Sequence, residues 1–553
     1  MLAVEPRPAV RLYGTGAPGG KGAGLVRLSE CGLPGTATLV TRILTTDFYD
    51  RFLERQHVVG DDDVSVLGAI LEELGDVPIG VRSSATNESG VSTGGRWSVQ
   101  AGENLSFMLP NNHPDASLRL GQLARAVHHI YAHFAARSGA AGTEKMAVVI
   151  NPIPGLFDDT QAGPCFYPYV SGVANSYFPY ALQMQNAQDG YARIAFGHGY
   201  ATVLDDFPVI SMATIRQPIP LRFLRMGGAQ HYFYALDLTR NRDLGGDELE
   251  TMKKLHVRFA NFHKIRMLGV HRQVVTIEKL VEQDAFGFKT RLEGIMDRLR
   301  EVVESPFQIE FVFNVDFTKK PYPNGVFHVV QLTLLPAMTQ EAVHVPSGGG
   351  RAYLSIRGLQ GHGVRPGVGY AVVVSPRLYH PEQHDEVRRD LAAVNRRMYE
   401  RGDRYLLIVP GRLGSRNRDW GLAVEYTDVD HATAIFEYGV DITGRTEPLP
   451  EDESRTGGIY GSHFLYMIMG GYDEDQRRLQ ARMYGTQGTH FFTNIMSSDT
   501  IYGFIAPEHD TLDPWFFSPA TAVSPLYVLA FPSPVTVYAD SVTQRCLVLG
   551  EEA

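Results

Sequence analysis

Cysteine and long hydrophobic runs are scarce in this chain. Its 553 residues include three cysteines, Cys31, Cys165 and Cys546, and their wide spacing forms no metal-binding pattern. An odd and sparse count of this kind favours a reducing compartment. The most apolar late stretch, 520–539, is broken by three prolines. It therefore predicts buried strands rather than a membrane span.

Positive charge is not in excess either. The chain has 51 Lys and Arg against 61 Asp and Glu, which gives a formal net charge of −10. This balance gives no support to a general nucleic-acid binder, although it leaves room for a local basic cleft. The first residues, Met-Leu-Ala-Val-Glu-Pro, lack the basic segment and apolar core of a signal peptide. We therefore expect a cytoplasmic protein with no nucleic-acid and no membrane partner.

The length predicts two or three domains, and the clearest break in composition is the flexible segment Pro346-Ser347-Gly348-Gly349-Gly350. Periodicity predicts helices and strands on both sides of it, which is an α+β pattern. Helices are expected over 21–31, 118–136, 285–303 and 386–401. Strands are expected over 10–13, 146–150, 192–196, 309–313, 326–335, 370–374 and 405–409.

Two N-terminal segments carry the strongest chemical signal. Gly19 to Leu25 reads Gly-Gly-Lys-Gly-Ala-Gly-Leu, and Val81 to Gly90 places an arginine before small hydroxyl residues. Glycines free backbone N–H groups to cradle phosphates, while Lys21 and Arg82 can neutralise phosphate charge. The pair predicts a site for a nucleoside triphosphate.

Two better-known phosphate motifs fit less well. Gly14 to Gly19 matches G-x-G-x-x-G after a short strand, which by itself is a weak dinucleotide signal. The acidic residue expected about twenty positions later is not clearly placed, although Asp47 is available. A Walker A motif fails because Gly22 follows Lys21 and Thr15 stands where its leading glycine belongs.

The first segment resembles the G-G-K-G-A-x-L element that opens the nucleotide-binding domain of pyruvate phosphate dikinase and phosphoenolpyruvate synthase. Arg82 to Thr86 resembles the V-R-S-S-A element of that family, and Gln308 to Phe311 its D-I-E-F strand. Gln331 resembles the glutamine on the strand that follows. Together with 108–112, 144–148 and 166–174, these segments are similar to proteins with a PEP/pyruvate-binding domain over roughly residues 10 to 335.

This resemblance implies an α+β chain with a two-lobed, ATP-grasp-like nucleotide-binding region followed by a separate C-terminal α/β domain. The lobes would cover 1–205 and 206–343, and the C-terminal domain 351–553. The implied activity is ATP-dependent phosphoryl transfer from Mg-ATP to a small-molecule acceptor or to a protein histidine. The family's pyruvate-binding barrel has no room in 553 residues. A homodimer is left open.

The resemblance also assigns residues to the nucleotide. Gly19, Gly20 and Lys21 would bind ATP, with Lys21 reaching the phosphates from the glycine turn. Arg82 would contact the β and γ oxygens from the opposite lobe, since its planar fork suits phosphate. Lys21 and Arg82 are the catalytic candidates of this region.

Glu310 and Gln331 would bind both ATP and magnesium, because each offers an oxygen ligand. Two departures from the family pattern lie beside them. Gln308 replaces the first carboxylate of the strand, and Thr333 replaces an arginine. The first change removes a magnesium ligand or a base, and the second weakens charge neutralisation during transfer.

The C-terminal part has similar elements. Pro410 to Ser415, Gly488 to Phe492 and Asp513 to Trp515 resemble segments found downstream in the same proteins. His490, in the second of these, is a further catalytic candidate. His463 lies in the nearest copy of the dikinase phosphohistidine signature, which here has an extra residue before Ser462.

Three other functions remain open at this point. An ATP-grasp-type ligase would form an acyl-phosphate and then an amide. An ATP-binding pseudo-enzyme or sensor would make use of Gln308 and Thr333. An oxidoreductase would bind a dinucleotide at Gly14 to Gly19.

Overall fold

The computed structural model describes most of the chain. The residues it describes are 9–86, 104–138, 144–177, 190–203, 210–212, 230, 232–239, 249, 251–260, 275, 278–281, 283–335, 343–344, 346, 350–357, 359–376, 378–414, 421–438, 491, 494–495, 498–505, 510–519, 524–540, 543 and 545–550. In these ranges the chain contains both helices and sheets, which confirms the expected α+β class.

The helices of the described ranges follow in chain order. They are α1 (Gly19–Glu30), α2 (Thr46–Glu54), α3 (Asp61–Leu74), α4 (Ala116–Ser138), α5 (Tyr200–Val203), α6 (Glu278–Val281), α7 (Phe288–Val302) and α8 (His384–Arg401). All four helices expected from periodicity are present, and their ends agree with the expected ones to within three residues.

Strands up to residue 334 form three sheets. These strands are β1 (Val10–Tyr13), β2 (Thr41–Leu44), β3 (Ile79–Ala85), β4 (Ser106–Leu109), β5 (Met146–Pro152), β6 (Leu156–Thr160), β7 (Gly163–Tyr167), β8 (Val170–Asn175), β9 (Tyr191–Phe196), β10 (Ile210–Met212), β11 (Tyr232–Asp237), β12 (Met252–His256), β13 (Phe307–Asn314) and β14 (Val326–Leu334). The first sheet has the order β1-β2-β5-β3-β4, the second β10-β9-β8-β13-β14, and the third β12-β11-β7-β6.

Later strands form a nine-stranded sheet and a two-stranded one. They are β15 (Arg351–Arg357), β16 (Leu359–Gln360), β17 (Gly363–Val374), β18 (Tyr405–Pro410), β19 (Arg412–Leu413), β20 (Gly421–Leu422), β21 (Ala434–Tyr438), β22 (Ile501–Ile505), β23 (Thr511–Leu512), β24 (Leu526–Asp540) and β25 (Arg545–Gly550). The large sheet has the order β16-β22-β21-β18-β17-β24-β25-β15-β23, with parallel pairing from β17 through β18 and β21 to β22.

The chain divides into two compact units. The first unit holds the described residues from 9 to 335, and the second holds those from 343 onwards. Val203 is the exception, because it belongs to the second unit. The second sheet of the first unit takes β8 and β9 from before residue 205 and β13 and β14 from well after it. None of the helices in the described ranges is long and apolar enough to cross a lipid bilayer.

The two faces of the first sheet pack against different helices. One face packs against α2, α3 and α4 through a core that includes Leu44, Val81 and Ile150. The opposite face turns Ile43 and Val149 towards α1. Because side chains alternate along a strand, Arg82, which pairs with Val149, belongs to this α1 face.

Helix α1 contacts both the first sheet and β14 of the second sheet. Two glycines allow it to approach so closely. A Cβ at Gly19 would lie 1.8 Å from the carbonyl oxygen of Ser84 on β3, and one at Gly24 would lie 2.5 Å from that of Leu332 on β14. The two sheets are therefore packed within one compact unit on either side of this helix.

Residues 520–539 were expected to form buried strands. Where the structure describes them, they contribute to a single strand. Strand β24 runs from Leu526 to Asp540 and includes Pro532 and Pro534. Its first half is only partly covered, and Val528 is exposed. The expectation of full burial is therefore wrong for this part of the strand.

Candidate functional site

The second sheet has one apolar and one polar face. Ile309 and Leu332 pack with Leu292 and Ile295 of α7 in the core. On the other face, cross-strand partners form polar rows, because paired residues point to the same side. The first row contains Asn175, Gln308 and Thr333, and the second contains Arg193, Val173, Glu310 and Gln331.

Arg82 of the first sheet lies against this polar face. Its Nη2 donates to Glu310 Oε2 at 2.9 Å and to Gln331 Oε1 at 2.6 Å, and its Nη1 donates to the carbonyl oxygen of Val330 at 2.7 Å. The side chains of Arg82 and Glu310 are only 12% and 16% exposed, so this ion pair is largely shielded from water. Three residues selected from the sequence are thus brought together across more than 220 positions.

Lys21 lies close to Arg82, on the same side of the arrangement. Its Nζ donates to the carbonyl oxygen of Ser83 at 2.9 Å and lies 3.4 Å from Ser83 Oγ. Since α1 packs on β3, Lys21 and Arg82 belong to the same sheet-and-helix layer. The expectation that Arg82 faces Lys21 from an opposite lobe is therefore wrong.

The glycine turn is a helix start. Gly19 and Gly20 form the first turn of α1, and the N–H of Gly22 donates to Ser84 Oγ at 3.0 Å. Ser84 Oγ in turn donates to the carbonyl oxygen of Pro18 at 2.9 Å. A helix N-terminus favours anions, so Lys21 is placed where positive potential from the backbone adds to its own charge.

The G-x-G-x-x-G segment has a structural role. The N–H of Gly16 donates to Asp47 Oδ1 at 3.0 Å, and the N–H of Ala17 donates to Thr46 Oγ1 at 3.0 Å. Asp47, the residue considered as a ribose ligand, thus holds this loop against the start of α2. Its pKa is lowered, because hydrogen bonds from Thr45 and Gly16 outweigh the desolvation that would raise it. This geometry does not favour a dinucleotide site here.

Glu310 and Gln331 carry oxygens of the kind that a magnesium ion shared with phosphate would take as ligands. Glu310 Oε2 and Gln331 Oε1 converge on one guanidinium nitrogen, so their oxygens already surround a cationic group. Over the described part of the chain, no set of three or more His, Cys, Asp and Glu side chains is grouped to hold a metal ion. Magnesium commonly takes one or two protein oxygens and completes its shell with phosphate and water, which suits this pair.

The two departures from the family pattern form neutral contacts. Gln308 Nε2 donates to Asn175 Oδ1 at 3.1 Å, and Gln331 Nε2 donates to Thr333 Oγ1 at 3.1 Å. All four side chains are buried. The first row of the polar face therefore carries amides and a hydroxyl, at two positions (Gln308 and Thr333) where the resemblance led us to expect charged groups.

No protein-family model matches the chain. A search of curated proteins likewise finds no match.

His198 is a residue of this site that sequence reasoning missed. It follows β9, is 9% exposed, and interacts electrostatically with Arg82 and Glu310. The pKa of His198 is lowered to about 4, mainly by burial and also by the charge of Arg82, while Glu310 partly opposes the shift. The imidazole is therefore neutral at pH 7. No local motif marks His198, since its position depends on the path of the chain after β9.

Arg193 is a second missed residue. It lies in the row of Glu310, two strands away across Val173, and is buried. Adjacent strands are about 4.8 Å apart, which places the Cα atoms of Arg193 and Glu310 about 10 Å apart. The alternation of side chains along β9 could have shown that Arg193 lies on its polar face. It could not have shown which strand pairs with β9.

The C-terminal candidates are only partly described. His463, His490 and Ser415 lie outside the described residues. In the turn after β18, the N–H of Leu413 donates to the buried carboxylate of Glu437 at 2.7 Å. That turn is thus held by hydrogen bonds to β21.

Proposed function

We propose that the chain is a cytoplasmic, ATP-dependent phosphotransferase whose Mg-ATP lies between Lys21 and Arg82 and the polar face of the second sheet. The observation that carries the proposal is the convergence of Arg82, Glu310 and Gln331. These residues are the ones that the resemblance to pyruvate phosphate dikinase and phosphoenolpyruvate synthase assigns to ATP and magnesium. The arrangement supports an ATP-grasp-like region with two lobes, one built on each five-stranded sheet.

The side chains would act by positioning and by neutralising charge, which dominate phosphoryl transfer. Arg82 would exchange its contacts with Glu310 and Gln331 for phosphate oxygens. Those two residues would then hold magnesium, which screens phosphate charge when it is bound. Lys21 would add a point charge near the start of α1. Burial strengthens each of these interactions, because little water screens them.

The acceptor would be a small molecule or a protein histidine, and His490 and His463 are the candidates for the histidine. A direct kinase would transfer the γ-phosphoryl group and release ADP. Dikinase-like chemistry would transfer the β-phosphoryl group and release AMP.

Labelled ATP tests the proposal. The full-length protein is incubated with magnesium, a metabolite extract and ATP labelled at the β or γ position, and the label is followed into products. Transfer of either label supports the proposal and identifies the group that moves. Binding of ATP without transfer to any metabolite, water or protein side chain would contradict it.

One observation favours a second function, an ATP-binding sensor without turnover. The neutral contacts of Gln308 with Asn175 and of Thr333 with Gln331 leave that row of the polar face without a carboxylate or a guanidinium. Such a site can bind phosphate through Arg82 and Lys21 and still lack groups needed for transfer. A sensor predicts a saturable ATP affinity and no release of ADP or AMP.

Replacing Lys21 by methionine is expected to lower ATP turnover about 100-fold, because a phosphate-facing charge is lost. Loss of the hydrogen bond to Ser83 should lower the free energy of unfolding by only about 1 kcal/mol. Steady-state release of ADP or AMP and chemical denaturation measure the two effects. Lys145→Met removes an exposed lysine paired with Asp50 and should change neither. Normal turnover in Lys21→Met would refute the placement of Lys21.

A further inference from the structure

His198 is held in a defined orientation at the edge of the polar face. Its backbone N–H donates to the carbonyl oxygen of Tyr234 at 2.8 Å, and its ring makes an edge contact with the ring of Tyr200 at a centroid distance of 4.9 Å. The preceding residue is anchored as well, since Ser171 Oγ donates to the carbonyl oxygen of Gly197 at 2.8 Å. The imidazole is thus fixed by both its backbone and its ring.

The hydrogen bonds of the ring determine which nitrogen carries the proton. The N–H of Tyr200 donates to His198 Nδ1 at 3.4 Å. An imidazolium has no acceptor nitrogen, so the ring is neutral, and in the neutral ring the proton is then on Nε2. Within the described ranges, no protein group accepts a hydrogen bond from this Nε2–H. Nε2 is not among the buried side-chain atoms that lack a partner, so it is accessible and its N–H can donate to a bound group.

The charged groups near His198 indicate which kind of ligand would accept a hydrogen bond from its Nε2–H. The residue before His198 is held by Ser171, which lies two positions along β8 from Val173, the cross-strand partner of Glu310. His198 is therefore close to the ion pair of Glu310 and Arg82. An anion that displaces Glu310 from Arg82 would come within the reach of the same imidazole. A neutral donor suits this position, because a second cation beside Arg82 would be repelled.

We propose that His198 is a further ligand-binding residue of the site and that its Nε2–H donates to a phosphate oxygen of the nucleotide held by Arg82. This inference rests on the proposed function, because it takes the nucleotide from there. It assigns donation rather than phosphoryl acceptance. Attack by Nε2 would need a lone pair there and a proton on Nδ1, and Nδ1 already accepts from the N–H of Tyr200.

Two substitutions separate the donor from the ring. His198→Gln keeps an N–H donor but loses the aromatic contact with Tyr200, whereas His198→Phe keeps the contact and loses the donor. Binding of a non-hydrolysable ATP analogue, ADP and adenosine is measured by calorimetry in the presence of magnesium. We expect the phenylalanine variant to bind the two phosphate ligands about 10- to 100-fold more weakly. The glutamine variant should stay within about fivefold of the wild type, and adenosine binding should change in neither.

His128→Phe is the matched control. His128 is a half-buried histidine of α4 whose ring contacts Phe52, and its replacement should leave nucleotide binding unchanged. Thermal unfolding of each variant shows that the protein measured is folded. Among folded variants, any of three results would overturn the donor role. His198→Phe and His198→Gln could lose the same affinity for the phosphate ligands, or His198→Phe could keep its full affinity for them. The third result is a loss of affinity for adenosine as large as that for the phosphate ligands.

The same titrations keep this inference distinct from the proposed function. If the wild type binds the ATP analogue and His198→Phe binds it equally well, the inference fails while the nucleotide site stands. If the wild type binds no nucleotide, the proposed function fails and the inference fails with it. As a direct readout, nitrogen NMR of the labelled wild-type protein should show a neutral imidazole with its proton on Nε2. Its Nε2–H signal should shift when the ATP analogue is added.

Discussion

Replacement of Arg82 by glutamine is expected to abolish ATP turnover, with a fall in rate of about 100- to 1000-fold. The guanidinium contacts Glu310, Gln331 and the backbone of β14 together. A glutamine can neither span these contacts nor neutralise phosphate. Release of ADP or AMP under saturating ATP measures the effect.

The same substitution should also weaken the first unit. Loss of Arg82 leaves the Glu310 carboxylate largely buried without its cation, which should lower the free energy of unfolding by about 2 kcal/mol. Arg27→Gln is the matched control. Arg27 of α1 also donates to a distant carbonyl oxygen, that of Val302, at 3.0 Å, but on the exposed surface. If Arg82→Gln turns over ATP as fast as Arg27→Gln does, the proposed site is wrong.

Replacement of Gly19 by alanine is expected to cause the largest loss of stability, about 3 kcal/mol. Its φ of +67° is unfavourable for alanine, and the new Cβ would lie 1.8 Å from the carbonyl oxygen of Ser84. Helix α1 would have to move away from β3, which would separate Lys21 from Ser83. Chemical denaturation and nucleotide binding should therefore decline together.

Gly32→Ala separates the cost of a positive φ from the cost of a steric clash at the new Cβ. Gly32 follows the same helix and has a φ of +59°, but a Cβ there would have no neighbour within 4 Å. This variant should lose about 1 kcal/mol, from the backbone conformation alone, and should bind nucleotide normally. Equal losses in the two alanine variants would show that close packing between α1 and β3 is not what requires Gly19.

Much of the fold was predictable from local pattern. The helix over 386–401 and the strands over 309–313 and 326–335 were found because their periodicity spans several residues and tertiary contacts reinforce it. The phosphate-binding role of the glycine segment stays a prediction, but its role in packing was not foreseen, because glycine favours turns and close packing alike. Gly19 and Gly24 serve the second role, against Ser84 and Leu332, and no sequence window contains those partners.

The candidate site divides in the same way. Lys21, Arg82, Glu310 and Gln331 stood out because each lies in a motif, and their roles in ATP binding remain predictions. His198 and Arg193 lie in no motif. They join the site through the pairing of β8 with β9 and through the turn that follows β9.

The sequence by itself determined the α+β class, the positions of the main elements, and the residue types that suit a phosphate site. These follow from side-chain periodicity and chemistry, which act over a few residues. Only the tertiary structure decided that Lys21 and Arg82 share one layer and that Arg82 meets Glu310 and Gln331. It also decided that a neutral His198 stands beside them. Those facts depend on strand order and on the close approach of α1 to both sheets, which are set by contacts between residues hundreds of positions apart.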